Sequence, residues 1–95
     1  MLSIRDIERG VIAALEGYPV RKVQLFGSYA AGSADEGSDV DLIVEFESDA
    51  VSLLTLSALR QRIEDALGVP VDLVHGPLPE GSLLDVGEAV ELYAA

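Results

Sequence analysis

Apolar residues recur along this chain with two periods, one helical and one extended. Ile4, Ile7, Val11, Ile12 and Leu15 follow the helical period. Ser3 with Asp6 three residues later has the form of a capping box, and Gly17 with Pro19 closes the segment. The run from Val23 to Phe26 then reads as a short buried strand stopped by Gly27. Ser28 is expected to cap a single helical turn, Tyr29-Ala30-Ala31, before a loop carrying Gly32, Ser33, Asp35, Glu36 and Gly37. From Asp39 to Phe46 the period becomes two: Val40, Leu42, Val44 and Phe46 share one face, and Asp39 and Asp41 share the other.

Ser52 or Ser48 opens a further helix with Leu53, Leu56, Leu59, Ile63, Ala66 and Leu67 as its apolar stripe. Arg60, Gln61, Glu64 and Asp65 face water, and Gly68 sits at the C-terminal end. Val69 to Val74 is the third strand, with Asp72 its single charge. After the break at Gly76-Pro77-Leu78-Pro79, a last helix is expected from about Ser82 to Tyr93, with Leu83, Val86, Val90 and Tyr93 inward. The predicted order is αβαβαβα.

Composition narrows the possibilities. The chain has 95 residues, 49% of them apolar, which predicts one domain over 1–95 with its own core. Without cysteine there is no disulfide framework and no thiolate metal site, so any metal must be held by oxygen. The N-terminal residues alternate charge with apolar side chains, and no stretch is long enough to cross a bilayer; a cytoplasmic protein with no membrane contact is the expectation. Seventeen acids against six bases give a formal charge of -11, which repels polyanions and favours cations or a basic partner. Direct binding of nucleic acid is therefore not expected.

The chemistry concentrates between Gly27 and Asp41. Two carboxylates one residue apart on a strand face repel each other and lose hydration, unless a cation neutralises them. Mg2+ suits such a pair, because it prefers oxygen, keeps several waters and commonly uses one or two carboxylates together with substrate phosphates. Asp72 joins the pair if the third strand lies beside the second. Gly27 allows close approach of a phosphate to the backbone, and a helix started at Ser28 offers free N–H groups to an anion. Two ions sharing the aspartates suit an in-line displacement at phosphorus. His75 reads as a strand-end polar residue, Tyr29 as a cover for the loop, and Asp35 and Glu36 as loop surface. The adjacent Leu53-Leu54 and Leu83-Leu84 pairs hint at a protein interface.

Gly27-Ser28, ten intervening residues, Asp39-x-Asp41 and an isolated later acid at Asp72 resemble the nucleotidyltransferase superfamily of DNA polymerase beta type. More narrowly the chain is similar to the minimal nucleotidyltransferases, or MNT proteins, commonly encoded beside a helical HEPN partner. The resemblance implies an α+β fold with a small mixed three-stranded sheet and packed helices. It also implies transfer of a nucleoside monophosphate from a triphosphate, with Asp39 and Asp41 on two Mg2+ ions, Asp72 on the ion at the acceptor hydroxyl, and Gly27 and Ser28 on ATP. The implied role is antitoxin of a HEPN toxin, either transferring AMP to a tyrosine of the toxin or neutralising it by occlusion. A homo- or hetero-oligomer is compatible with both. A small acidic domain that binds metal or a basic protein stands as the reading outside this family. Many relatives carry arginine within the segment that here reads Tyr29-Ala30-Ala31-Gly32, and Arg21 and Lys22 are the candidates to replace it.

Overall fold

The computed structural model describes residues 2–48, 50–76 and 89–95. Seven elements follow in the order α1 (Ile4–Ala14), β1 (Val20–Phe26), α2 (Gly27–Ala31), β2 (Val40–Phe46), α3 (Leu53–Leu67), β3 (Val71–His75) and β4 (Val90–Ala94). The strands form one mixed sheet in the order β3-β2-β1-β4, with β2 parallel to β3 and β1 antiparallel to both β2 and β4. The fold class is α+β as expected, but the sheet has four strands among the described residues.

The fourth strand replaces the end of the predicted final helix. Val90 and Tyr93 lie on β4, which pairs with β1, while the remainder of that prediction, Ser82 with Leu83, Leu84 and Val86, lies outside the described residues. The physical reason is the demand of β1, whose second edge would otherwise be the rim of the sheet with unpaired N–H and C=O groups. β1 is also longer than predicted, because Arg21 and Lys22 are accommodated in it by ion pairs with Glu45 (2.7 Å) and Glu91 (3.8 Å).

Alternation divides the sheet into two faces. Val23, Leu25, Val40, Leu42, Val44 and Val71 point into the core beneath α1 and α3, which pack on each other. The helices supply Ile7, Val11, Ala14 and Leu15 from α1 and Leu59, Ile63 and Leu67 from α3. Full burial of each large aliphatic side chain stabilises by about 1.5–3 kcal/mol relative to exposure. The stripes are narrower than predicted: Ile4, Ile12, Leu53 and Ala66 are exposed. Helix ends follow the sequence closely. Ser3 and Asp6 close a reciprocal capping box on α1, Ser52 accepts from the Thr55 N–H on α3, and Gly68 ends α3 in the left-handed region.

Candidate active site

The second face of the sheet carries the acids. In the parallel β2–β3 register Asp41 lies directly beside Asp72, flanked by the Val40–Val71 and Leu42–Leu73 pairs whose side chains point the other way. On its other side Asp41 is opposite Phe26, the last residue of β1. The chain turns into α2 immediately afterwards, which brings Gly27 against the Asp41 side chain. A Cβ added at Gly27 would collide with Asp41 Oδ2 and lie 3.1 Å from its Cγ, and Gly27 has φ +74°, a region that disfavours any side chain.

These contacts set the electrostatics. Burial pushes the Asp41 carboxyl above its ordinary range, and the neighbouring charges of Asp72 and then Asp39 push it the same way. Asp41 and Asp72 are thus neighbours across β2 and β3, Asp39 acts on Asp41 as the weaker of the two charges, and of the three only Asp41 is half-buried. Asp39 and Asp72 are exposed, so Asp72 is not the buried lone acid that its apolar strand suggests. Its neighbours Val71 and Leu73 point into the core, while Asp72 alternates to the opposite face of the sheet, where it is exposed.

α2 differs from expectation at its start. Phe26, not Ser28, occupies the cap position, and no side chain caps the helix. Ser28 lies within the first turn, where its carbonyl accepts from the Gly32 and Ser33 N–H groups. The uncapped turn leaves its leading N–H groups for water or a ligand. The loop to β2 is organised by Asp35, whose carboxylate accepts from the Gly37 N–H at 2.9 Å, while Ser38 Oγ accepts from the Asp35 N–H. Tyr29 is buried in the core rather than spread over the loop. His75 packs edge-on against Phe46, ring centroids 5.4 Å apart, a structural role at the end of β3.

One positioning residue escapes sequence reading. Glu64, expected to face water, is half-buried and accepts from the Val71 N–H at 2.9 Å and from Arg60 at 3.1 Å, fixing the start of β3 and hence Asp72. Its only sequence signal is the short α3–β3 connection through Gly68 and Pro70. Arg21 and Lys22 do not serve the site. They stand at the opposite end of β1, with Arg21 six residues before Gly27, about 20 Å along an extended strand.

The donor set consists of hard carboxylate oxygens. No group of three or more His, Asp or Glu side chains is arranged to enclose a metal among the described residues. The carboxylates therefore fit an ion that takes one or two protein ligands and completes its shell from water and phosphate, as Mg2+ does, and do not fit a closed protein cage.

The model of the nucleotidyltransferase domain matches residues 8–91. The chain belongs to the nucleotidyltransferase domain family. Protein adenylyltransferase MntA of Thermococcus cleftensis is 42% identical to this nucleotidyltransferase over 78 residues, 78% of each chain. A solved structure provisionally described as a minimal nucleotidyltransferase is 34% identical, with a TM-score of 0.71 over 92% of this chain and 90% of that one. A crystal structure of a toxin–antitoxin with AMP-PNP matches with a TM-score of 0.75 and 26% identity, covering 93% of this nucleotidyltransferase and 73% of that chain.

Proposed function

We propose that this nucleotidyltransferase is the antitoxin of a HEPN-type toxin and acts by moving AMP from ATP to a tyrosine hydroxyl of that partner. The observation that carries this reading is the convergence of Asp41 on Asp72, Asp39 and Gly27, because a protein serving only as a cover gains nothing from carboxylates that repel one another. The resemblance to an adenylyltransferase and to a toxin–antitoxin chain crystallised with AMP-PNP supports the donor and the partner. No described helix is long and apolar enough to cross a membrane.

In this mechanism the acceptor hydroxyl gives up its proton to water or to the exposed Asp72 carboxylate as its oxygen attacks the α-phosphorus of ATP, a new O–P bond forms, and the bond to the bridging oxygen of pyrophosphate breaks opposite it. Mg2+ ions, when bound, neutralise charge between the carboxylates and the triphosphate and assist both the attacking and the leaving oxygen. Asp39 and Asp41 would hold them. Asp72, exposed beside Asp41, would complete the acceptor side. The missing Cβ of Gly27 makes room for the Asp41 carboxylate, and the first-turn N–H groups of α2 at Gly27 and Ser28 would donate to the triphosphate. The Asp35 turn holds the other side of the loop.

Incubation with the genomic-neighbour protein, ATP and Mg2+, followed by intact mass measurement of both proteins, tests the reading. An added AMP mass on the neighbour, lost in the Asp39→Asn, Asp41→Asn double variant, is the expected result. Tight association without any mass gain would replace transfer by occlusion.

A further inference from the structure

We infer that the triphosphate site of this chain lacks a cation of its own and is completed by a basic side chain of the protein that docks against it. This rests on the transferase reading above. All six basic residues lie among the described residues, and four of them are engaged by partners outside the Asp39, Asp41 and Asp72 group. Arg21 and Lys22 pair with Glu45 and Glu91 toward the far end of β1. Arg60 pairs with Glu64 on the helix-covered side, and the Arg62 guanidinium lies 5.6 Å from the centre of the Tyr18 ring. Arg5 and Arg9 line a hollow with Glu8 and Ile12 on the side of α1 opposite its buried Ile7 and Val11. The charges that act on Asp41 are both carboxylates.

The surroundings make the deficit larger. Asp35, Glu36, Asp39 and Asp72 are all exposed around the loop, on a chain of net charge -11. ATP approaching the isolated chain meets like charge, and beyond any Mg2+ held by the aspartates the leaving pyrophosphate has no basic side chain of this chain to receive its growing charge. A basic protein surface is attracted by the same field, and its arginine or lysine would arrive where the charge is needed. The acceptor protein would thereby switch on the site that modifies it.

The geometry also says where an internal cation would stand. Ala31 is the last residue of α2, four positions after the Gly27 turn, and Tyr29 between them is buried. Ala31 is exposed, so a long side chain there would reach over the Gly27 turn without disturbing the core.

Titration of the full chain with an ATP analogue whose α–β bridging oxygen is replaced by a methylene group, in excess Mg2+, provides the test, read by calorimetry. The isolated chain should bind weakly, Ala31→Arg should tighten binding at least tenfold, and the uncharged Ala31→Gln should not. The neighbour protein should tighten binding to the unmodified chain at least tenfold and add little to Ala31→Arg. Equal affinity with and without the neighbour, or no gain from Ala31→Arg, overturns the inference. Mass measurement separates this from the broader reading: AMP transfer with partner-independent ATP affinity defeats only the shared cation, and absence of transfer despite partner-enhanced binding defeats the transferase.

Discussion

Gly27 and Asp41 depend on each other. The positive φ of Gly27 turns the chain at the end of β1, and the missing Cβ leaves the space that the Asp41 carboxylate occupies. Gly27→Ala should therefore both strain the backbone and displace the carboxylate, costing on the order of 1–3 kcal/mol in chemical denaturation and abolishing nucleotide binding. Asp41 carries the opposite kind of cost. Because its folded carboxyl titrates above the ordinary range, the folded chain keeps a proton that the unfolded chain has lost, and stability falls as pH rises through that interval. In the absence of metal, Asp41→Asn should raise the melting temperature at neutral pH, with the difference vanishing below the ordinary carboxylate range. A constant difference across that range would mean that packing, not charge, is responsible. At this scale the sequence was informative about Asp39, Asp41 and Gly27, since a strand period of two and a glycine stop are local signals. It was silent on Glu64, whose hydrogen bond to Val71 joins two elements, and misleading on Ser28, where the start of a one-turn helix depends on how β1 delivers Phe26.

α1 and α3 were legible as elements because capping residues and terminal glycines mark their limits, while the width of their buried stripes was not. How much of a helix face is covered depends on what packs against it, so Leu53 enters a stripe by spacing yet stands exposed. β4 was the larger miss. Five residues are too few for a period of two to outweigh a longer apparent helical pattern, and pairing to β1 is a property of the sheet. Leu92 separates the two assignments, since the helical stripe of Val90 and Tyr93 leaves it outside and the strand buries it. Leu92→Ala should cost about 2–5 kcal/mol. Leu53→Ala should change stability by no more than about 0.5 kcal/mol. Equal effects of the two substitutions in urea unfolding would count against the observed sheet edge.

Across the whole molecule the sheet separates two tasks. One face is covered by α1 and α3 and supplies stability; the other carries Asp41 and Asp72 at the end near the Gly27 turn, where Asp72 is exposed, while Ile43 and Glu45 further along β2 are buried. The charge of -11 acts at this end by attracting a basic protein and opposing free nucleotide. Association with the neighbour should accordingly slow as salt rises from 50 to 500 mM, read as a falling association rate with a smaller change in dissociation, on the order of tenfold or more. A salt-independent rate would point to apolar docking instead. The most direct measurement uses two samples of ATP, one labelled at the α- and one at the γ-phosphate, mixed with the chain, its neighbour and Mg2+. Nucleotidyl transfer predicts protein-bound label from the α-labelled sample alone, with the γ label released in pyrophosphate. Protein-bound γ label, or none from either sample, would contradict it.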